Sequence, residues 1–287
     1  MELRVLRYFL MAAREENMTK AAKLLHVTQP TLSRQIMQLE EELGCKLFRR
    51  SNHSIYLTEE GMFLKKRAQD MIALEERTAR EFRNLQSEIA GEITLGSGET
   101  RGVSEITDVM AEFQKEHPMV RYEIYTANAD DIKERLDRGL VDFGLLMEPV
   151  DISKYNFIRM KQKERWGIIV REDSPLADKE KVTAVELVSL PLISVKRTLV
   201  KKELEGWFGD LYEQVQVVAI YNLVNNGIEM VKSGIGALLC FPIRNLEPGL
   251  KFIPLYPAVE TGSVLVWRKN QVLSQTAERF LEKFKKL

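Results

Sequence analysis

A chain of 287 residues exceeds one ordinary domain of about 100–200 residues, so two or three domains are expected. With 45% hydrophobic and 29% charged residues it has material for real cores, which excludes a disordered chain, and a formal net charge of zero gives the whole no bias toward nucleic acid or membrane. Two distant cysteines, Cys45 and Cys240, exclude a disulfide framework and read as buried small hydrophobes of a reducing cytoplasm; the charged MELRVLRYFLMAAREEN does not read as a signal peptide, and no run approaches the roughly 18 apolar residues of a membrane span.

Leu3, Leu6, Phe9, Leu10 and Ala13 stand at helical spacing and predict a first amphipathic helix over 2–15. Thr19 is the expected cap of a second, Lys20 to Leu25, in which the small Ala21 and Ala22 allow a close helix contact. After a turn at His26-Val27, Thr28 supplies the next N-cap hydroxyl, and Pro30 sits in the first turn, where its missing N–H costs nothing. Leu32, Ile36, Leu39 and Leu43 form the core face of this third helix, and Gly44 ends it as a left-handed cap. The helical wheel turns Gln29, Pro30, Ser33 and Arg34 outward near its start, with Thr31 in the same turns. An ordinary solvated face is rich in Glu and Lys; this one carries residues that pair with base edges, Arg with guanine and Gln with adenine.

Phe48 to Leu57 reads as two short extended segments joined at Ser51-Asn52-His53-Ser54, so the whole pattern over 1–58 is a winged helix-turn-helix. That span holds nine basic and six acidic residues, a mild positive surplus in a neutral chain. Thr58 then caps a helix of about 30 residues, roughly 45 Å long, with Glu59 and Glu60 at its positive end. Leu64, Ala68, Met71, Glu75, Thr78, Phe82, Leu85 and Ile89 repeat every three or four positions along it, a seam expected to meet its copy in a dimer.

Beyond Gly91 strands and helices alternate, which predicts parallel α/β sheets. The first set is ITLGSGE, a helix over Val103 to Glu116, VRYEIYT, a helix over Asp130 to Arg138, and VDFGLLM. The second is RWGIIV, LPLISV, a helix over Val200 to Phe208, QVQVVAI, a helix over Asn222 to Lys232, and ALLCF. SVLVWR and a helix over Leu273 to Lys285 close the chain. Two lobes follow, lobe 1 about 91–162 with 263–287 and lobe 2 about 163–262, with the last segment returning to the first.

The sequence resembles the LysR-type transcriptional regulators. The resemblance is carried by LRYFLMAAREENMTKAAKLLHVTQPTLSRQIMQLEEELGCKLFRR, by LTEEG at the start of the long helix and by NNGIEMVKSGIGALLCFP, and it spans essentially the whole chain. It implies an all-α winged helix-turn-helix (1–58), a linker and dimerisation helix (59–90) and an α/β effector domain of two lobes similar to periplasmic binding proteins (91–287), assembled as a homodimer through the linker and as a homotetramer of paired dimers. Double-stranded DNA is the implied partner. Gln29, Pro30, Ser33 and Arg34 match the family's major-groove readers and Thr28 a phosphate contact; Thr31, Arg49, Arg50 and His53 are further candidates for DNA contact, with Arg49 and Arg50 able to hold the backbone. Where many relatives have a basic wing tip this chain has Asn52-His53, mostly neutral at pH 7.

Folds of two α/β lobes bind ligands beyond the carboxyl ends of their strands. The candidate effector residues are Ser97, Gly98, Glu99, Thr100, Thr126, Asn128, Leu146 and Met147 in lobe 1, and Ser194, Lys196, Arg197, Tyr221 and Asn222 in lobe 2. Lys196 and Arg197 favour an anion and Glu99 an amine, so the expected effector is a small carboxylate or amino-acid-like metabolite. Chemistry is not indicated: His26, His53 and His117 lack metal-ligand spacing, no G-x-S-x-G elbow is present, and neither cysteine has a nearby histidine, so no catalytic residue, metal or cofactor is expected. A solute-binding protein or enzyme with a helical appendage is the competing assignment, but the former needs a signal peptide and the latter has no use for a recognition helix.

Overall fold

Packing divides the chain into two units, Met1–Gln86 and Ser87–Leu287. The computed structural model describes residues 1–51, 54–84, 89–195 and 198–286.

In the first unit, α1 (Leu3–Glu15) buries Val5, Leu6, Phe9, Ala12 and Ala13, while Leu3 stays 41% exposed. The core face is therefore rotated from the expected one, centred on Phe9, whose ring packs 5.3 Å from that of Phe48. α2 (Met18–Leu24) starts early because Asn17, not Thr19, caps it, its side chain accepting from the Lys20 N–H at 2.9 Å. α3 (Gln29–Leu43) starts at Thr28, whose hydroxyl accepts from the Thr31 N–H, and ends at Gly44 with φ +68°. Leu32, Ile36 and Leu39 are buried; Leu43, in the last turn, is 40% exposed. β1 (Phe48–Ser51) and β2 (Ser54–Leu57) pair antiparallel. Cys45 is only half-buried.

α4 (Glu59–Asn84) is capped by Thr58, whose hydroxyl accepts from the Gly61 N–H at 2.9 Å and donates to the Lys46 carbonyl. A Cβ on Gly61 would stand 2.2 Å from the Leu47 carbonyl oxygen, so glycine lets the helix start pass the hairpin. The 26 described residues of this helix span about 39 Å. The expected seam divides. Leu64 and Ala68, with Ile72, are buried in the core of the first unit, and Glu75, with Glu76, pairs with Arg7 on α1. Met71 and Phe82 face outward, Ile89 packs on the core of the second unit, and Leu85 lies outside the described residues.

The second unit runs β3 (Gly91–Ser97), α5 (Gly102–Glu116), β4 (Val120–Thr126), α6 (Ala129–Asp137), β5 (Phe143–Met147), β6 (Tyr155–Arg159), β7 (Glu164–Arg165), β8 (Gly167–Arg171), α7 (Ala184–Leu187), β9 (Pro191–Val195), α8 (Thr198–Phe208), β10 (Gln216–Tyr221), α9 (Val224–Lys232), β11 (Ala237–Cys240), β12 (Leu250–Pro254), β13 (Glu260–Thr261), β14 (Ser263–Arg268) and α10 (Gln275–Lys285). Two five-stranded sheets form, in the orders β4-β3-β5-β14-β6 and β10-β9-β11-β8-β12. Neither is wholly parallel as expected. β7 and β13 cross between the sheets as an antiparallel pair, and each crossing segment re-enters a sheet at the carboxyl end of a parallel strand. Ser263 therefore stands opposite Met147 and Gly167 opposite Cys240, and β14 and β8 must run backwards.

Both faces of the first sheet are covered. Leu95, Phe143 and Leu265 pack with Phe113 of α5 and Phe280 of α10, while Leu146 and Val266 pack with Ile132 and Leu136 of α6. Trp166, Leu192, Leu204 and Leu239 lie in one core of the second lobe, Ile193, Val231 and Leu238 in the other. Thr276 on α10 donates to the Ala90 carbonyl at 2.7 Å, tying the end of the chain to the start of the first sheet. Among the described residues, no helix is long and apolar enough to cross a membrane.

Candidate nucleic-acid interface and ligand cleft

The first two turns of α3 present Gln29, Pro30, Thr31 and Arg34 to solvent, with Thr28 exposed at the cap and Ser33 half-buried between them. Gln29 Nε2 donates to Ser33 Oγ at 2.8 Å, and the Thr28 and Thr31 hydroxyls lie 2.8 Å apart. Both links join exposed groups for which water competes, so breaking either costs little. The Arg34 guanidinium has no partner among the described residues. Arg49 is exposed on β1 opposite Tyr56, and Lys20 and Lys23 are exposed on α2. The side chain of Arg50 and the whole of His53 lie outside the described residues.

Behind the recognition helix is a group that spacing did not reveal. Glu40 is 7% exposed; its Oε1 accepts from the Leu47 and Phe48 N–H groups at 2.9 and 3.3 Å, and its Oε2 from Lys46 Nζ at 2.7 Å. Burial pushes this carboxyl up, but the Lys46 ammonium and the two backbone donors outweigh it and hold it below its ordinary value. Glu40 thus fixes β1 to α3.

In the second unit, two cavities of about 540 and about 400 Å³ lie between the lobes and share Glu99, Trp166, Val195, Tyr221, Asn222 and Phe241. Of the residues expected from sequence, Gly98, Glu99, Thr100, Asn128, Met147, Tyr221 and Asn222 stand on their walls. Leu146 does not, because alternate strand residues face opposite ways: Leu145 and Met147 line the cleft, and Leu146 enters the core beneath α6. Ser194 is displaced by Val195 for the same reason. Ser97 is buried and donates to the Gly98 carbonyl at 2.8 Å, and Thr126 ends β4 without reaching the walls. Lys196 and Arg197 lie outside the described residues.

Charge and aromatic surface define the cleft. Glu99, from lobe 1, accepts the Val224 N–H of lobe 2 at 2.8 Å, a carboxylate on the positive end of α9. Glu164 on β7 is 4% exposed; its Oε1 accepts from the Arg101 N–H and the Thr100 hydroxyl, and its buried Oε2 has no partner. Trp166 donates to the Thr261 hydroxyl at 2.9 Å, and its ring packs against that of Phe241 with centroids 4.3 Å apart and planes tilted by 48°. Burial pushes the Tyr221 hydroxyl well above its usual range, and it pushes the Cys240 thiol up too. Sequence patterning missed Glu164, Trp166, Phe241 and Arg244. Glu164 and Trp166 sit on or beside the crossing strand β7 and the other two just after β11, positions that become cleft walls only once the strand order is known.

A helix-turn-helix with an open polar recognition face, on the same chain as a two-lobed fold with a ligand-sized cleft, defines a ligand-responsive DNA-binding regulator. Residues 3–62 match the bacterial regulatory helix-turn-helix protein, lysR family, and residues 86–287 the LysR substrate binding domain. The chain belongs to the LysR family of transcriptional regulators; it binds DNA, carries an effector-binding domain and is not an enzyme. It is 29% identical to the uncharacterized HTH-type transcriptional regulator YybE of Bacillus subtilis, over 98% of this chain and 97% of that protein. To the regulator BsdA of the same organism it is 26% identical, over 99% and 100%. In fold it is similar to full-length CbnR crystallised with its target DNA, with a TM-score of 0.78, 21% identity and coverage of 100% of this chain and 99% of that one.

Proposed function

We propose that Gln29, Pro30, Ser33 and Arg34 read base edges in the major groove while Thr28, Thr31, Arg49 and Arg50 hold the phosphate backbone, with His53 a further DNA contact. The observation that carries this is the unpartnered Arg34 guanidinium beside the Gln29–Ser33 pair at the exposed start of α3. Residues 1–58 are then the DNA-binding part, 59–90 the link, and 91–287 the part that responds to a small carboxylate or amino-acid-like metabolite by shifting between two states of unequal affinity for it. Gel retardation on the DNA upstream of its own gene tests the assignment. A shifted band that random DNA fails to compete supports it, and equal competition by random DNA contradicts it.

Assembly follows from the same surfaces. Phe63, Met71, Leu74 and Phe82 stand exposed along one stripe of α4, which supports a homodimer through this helix. The edge strands β4 and β10 expose Ile124 and Val217, Val218 and Ile220, an unpaired apolar margin that supports contact with a further copy and hence a homotetramer. The place of action is the cytoplasm, where the DNA is.

A further inference from the structure

We infer that the effector is an α-amino acid bound as its zwitterion, its ammonium donating to Glu164 and its carboxylate meeting Arg101 and Arg244; this rests on the assignment of the cleft as the effector site. Four charged side chains line the 540 Å³ cavity: Glu99, Glu164, Arg101 and Arg244. Their signs balance, unlike those of a site built for a simple anion or a simple cation. Glu99 is committed to the Val224 N–H. Glu164 is not fully committed, because one oxygen takes two donors and the other, buried, takes none. Native interiors rarely leave a buried acceptor bare, so the site as folded is short of one hydrogen-bond donor. Arg101 and Arg244 are exposed at the same cavity with no ion-pair partner among the described residues, so water is all that a ligand carboxylate would have to displace from them. A carboxylate alone would satisfy the arginines and leave Glu164 bare beside added negative charge; an amine alone would do the reverse. An amino acid supplies both ends, and the neighbouring Trp166, Tyr221 and Phe241 offer aromatic surface for its side chain.

The test is isothermal titration of the full chain with each of the twenty protein amino acids. Any binder is then compared with its decarboxylated amine and with the acid that lacks the α-amino group. At least one amino acid binds, and each truncated analogue binds tenfold or more weakly. Glu164→Gln weakens the amino acid tenfold or more and leaves the des-amino acid within threefold; Arg101→Ala with Arg244→Ala, at exposed positions, weakens the amino acid and spares the amine. Absence of binding by all twenty, or a des-amino acid that binds as tightly as its parent, overturns the inference. Phe241→Ala separates the two levels: if it abolishes binding of whichever compound binds, the cleft assignment stands even when the amino-acid class falls. If it changes nothing, the cleft assignment falls as well.

Discussion

Glu40→Ala would remove the carboxylate that joins the recognition helix to the hairpin. It leaves two buried N–H groups, those of Leu47 and Phe48, without an acceptor. Each orphaned donor costs about 1–3 kcal/mol; the Phe48 bond is long at 3.3 Å, so about 2–4 kcal/mol together is expected. Lys46 is 73% exposed and its ion pair adds little in water. Because Trp166, Trp207 and Trp267 all lie in the second unit, tryptophan fluorescence serves as an internal control. In urea, the helical signal of the first unit should unfold earlier by that free energy while the fluorescence transition stays in place, and exchange at the Leu47 and Phe48 amides should rise. A shift under about 0.5 kcal/mol, with those amides still protected, would refute the reasoning. The pH dependence has a definite sign. The folded carboxyl is held below its ordinary value, so its charge contributes stability that is complete above the unfolded value of about 4.3 and fades as pH falls through the folded one. The gap between wild type and Glu40→Gln should accordingly be full at pH 7 and begin to narrow only once the pH falls below about 4.3.

Three further outcomes are expected. Gly61→Ala should cost about 1–3 kcal/mol in urea unfolding, because its new methyl collides with the Leu47 carbonyl oxygen. Arg7→Ala should cost less than about 1 kcal/mol and lose most of that effect in 1 M salt, since Arg7, Glu75 and Glu76 are each about two-fifths exposed, and an equal cost at both salts would contradict a screened surface pair. Leu74→Glu on the exposed stripe of α4 should lower the mass of the assembly in light scattering without changing the helical content.

Local chemistry made the recognition helix legible. Thr28, Pro30 and Gly44 mark its ends by capping rules that depend on neighbours alone, and Leu32, Ile36 and Leu39 set its orientation. The cleft was legible only to the level of strand ends. Choosing Leu146 over Leu145, or Ser194 over Val195, is an error of one residue, and in a strand one residue is the difference between wall and core. Glu40 and Glu164 were hidden for another reason. Their partners lie 7, 8 and 63 or 64 residues away across turns or lobes, so no periodicity carries them. The seam of α4 misled because Leu64 and Ala68 repeat as a coiled coil does while being spent on the core of the first unit, and among the described residues the exposed stripe left for a second copy is Phe63, Met71, Leu74 and Phe82, with Met62 exposed beside it.

The most direct test of the central claim is the affinity of Arg34→Lys for the upstream DNA and for random DNA, measured by fluorescence anisotropy across a salt series. Lysine keeps the charge and loses the planar fork that engages guanine. The expected result is a loss of about 1–3 kcal/mol on the specific site, unchanged affinity for random DNA and an unchanged salt slope, whereas Arg49→Ala weakens both DNAs alike and lowers the slope by about 1. Equal loss on both DNAs in Arg34→Lys, or no loss on either, would contradict the assignment of this helix as the element that reads sequence.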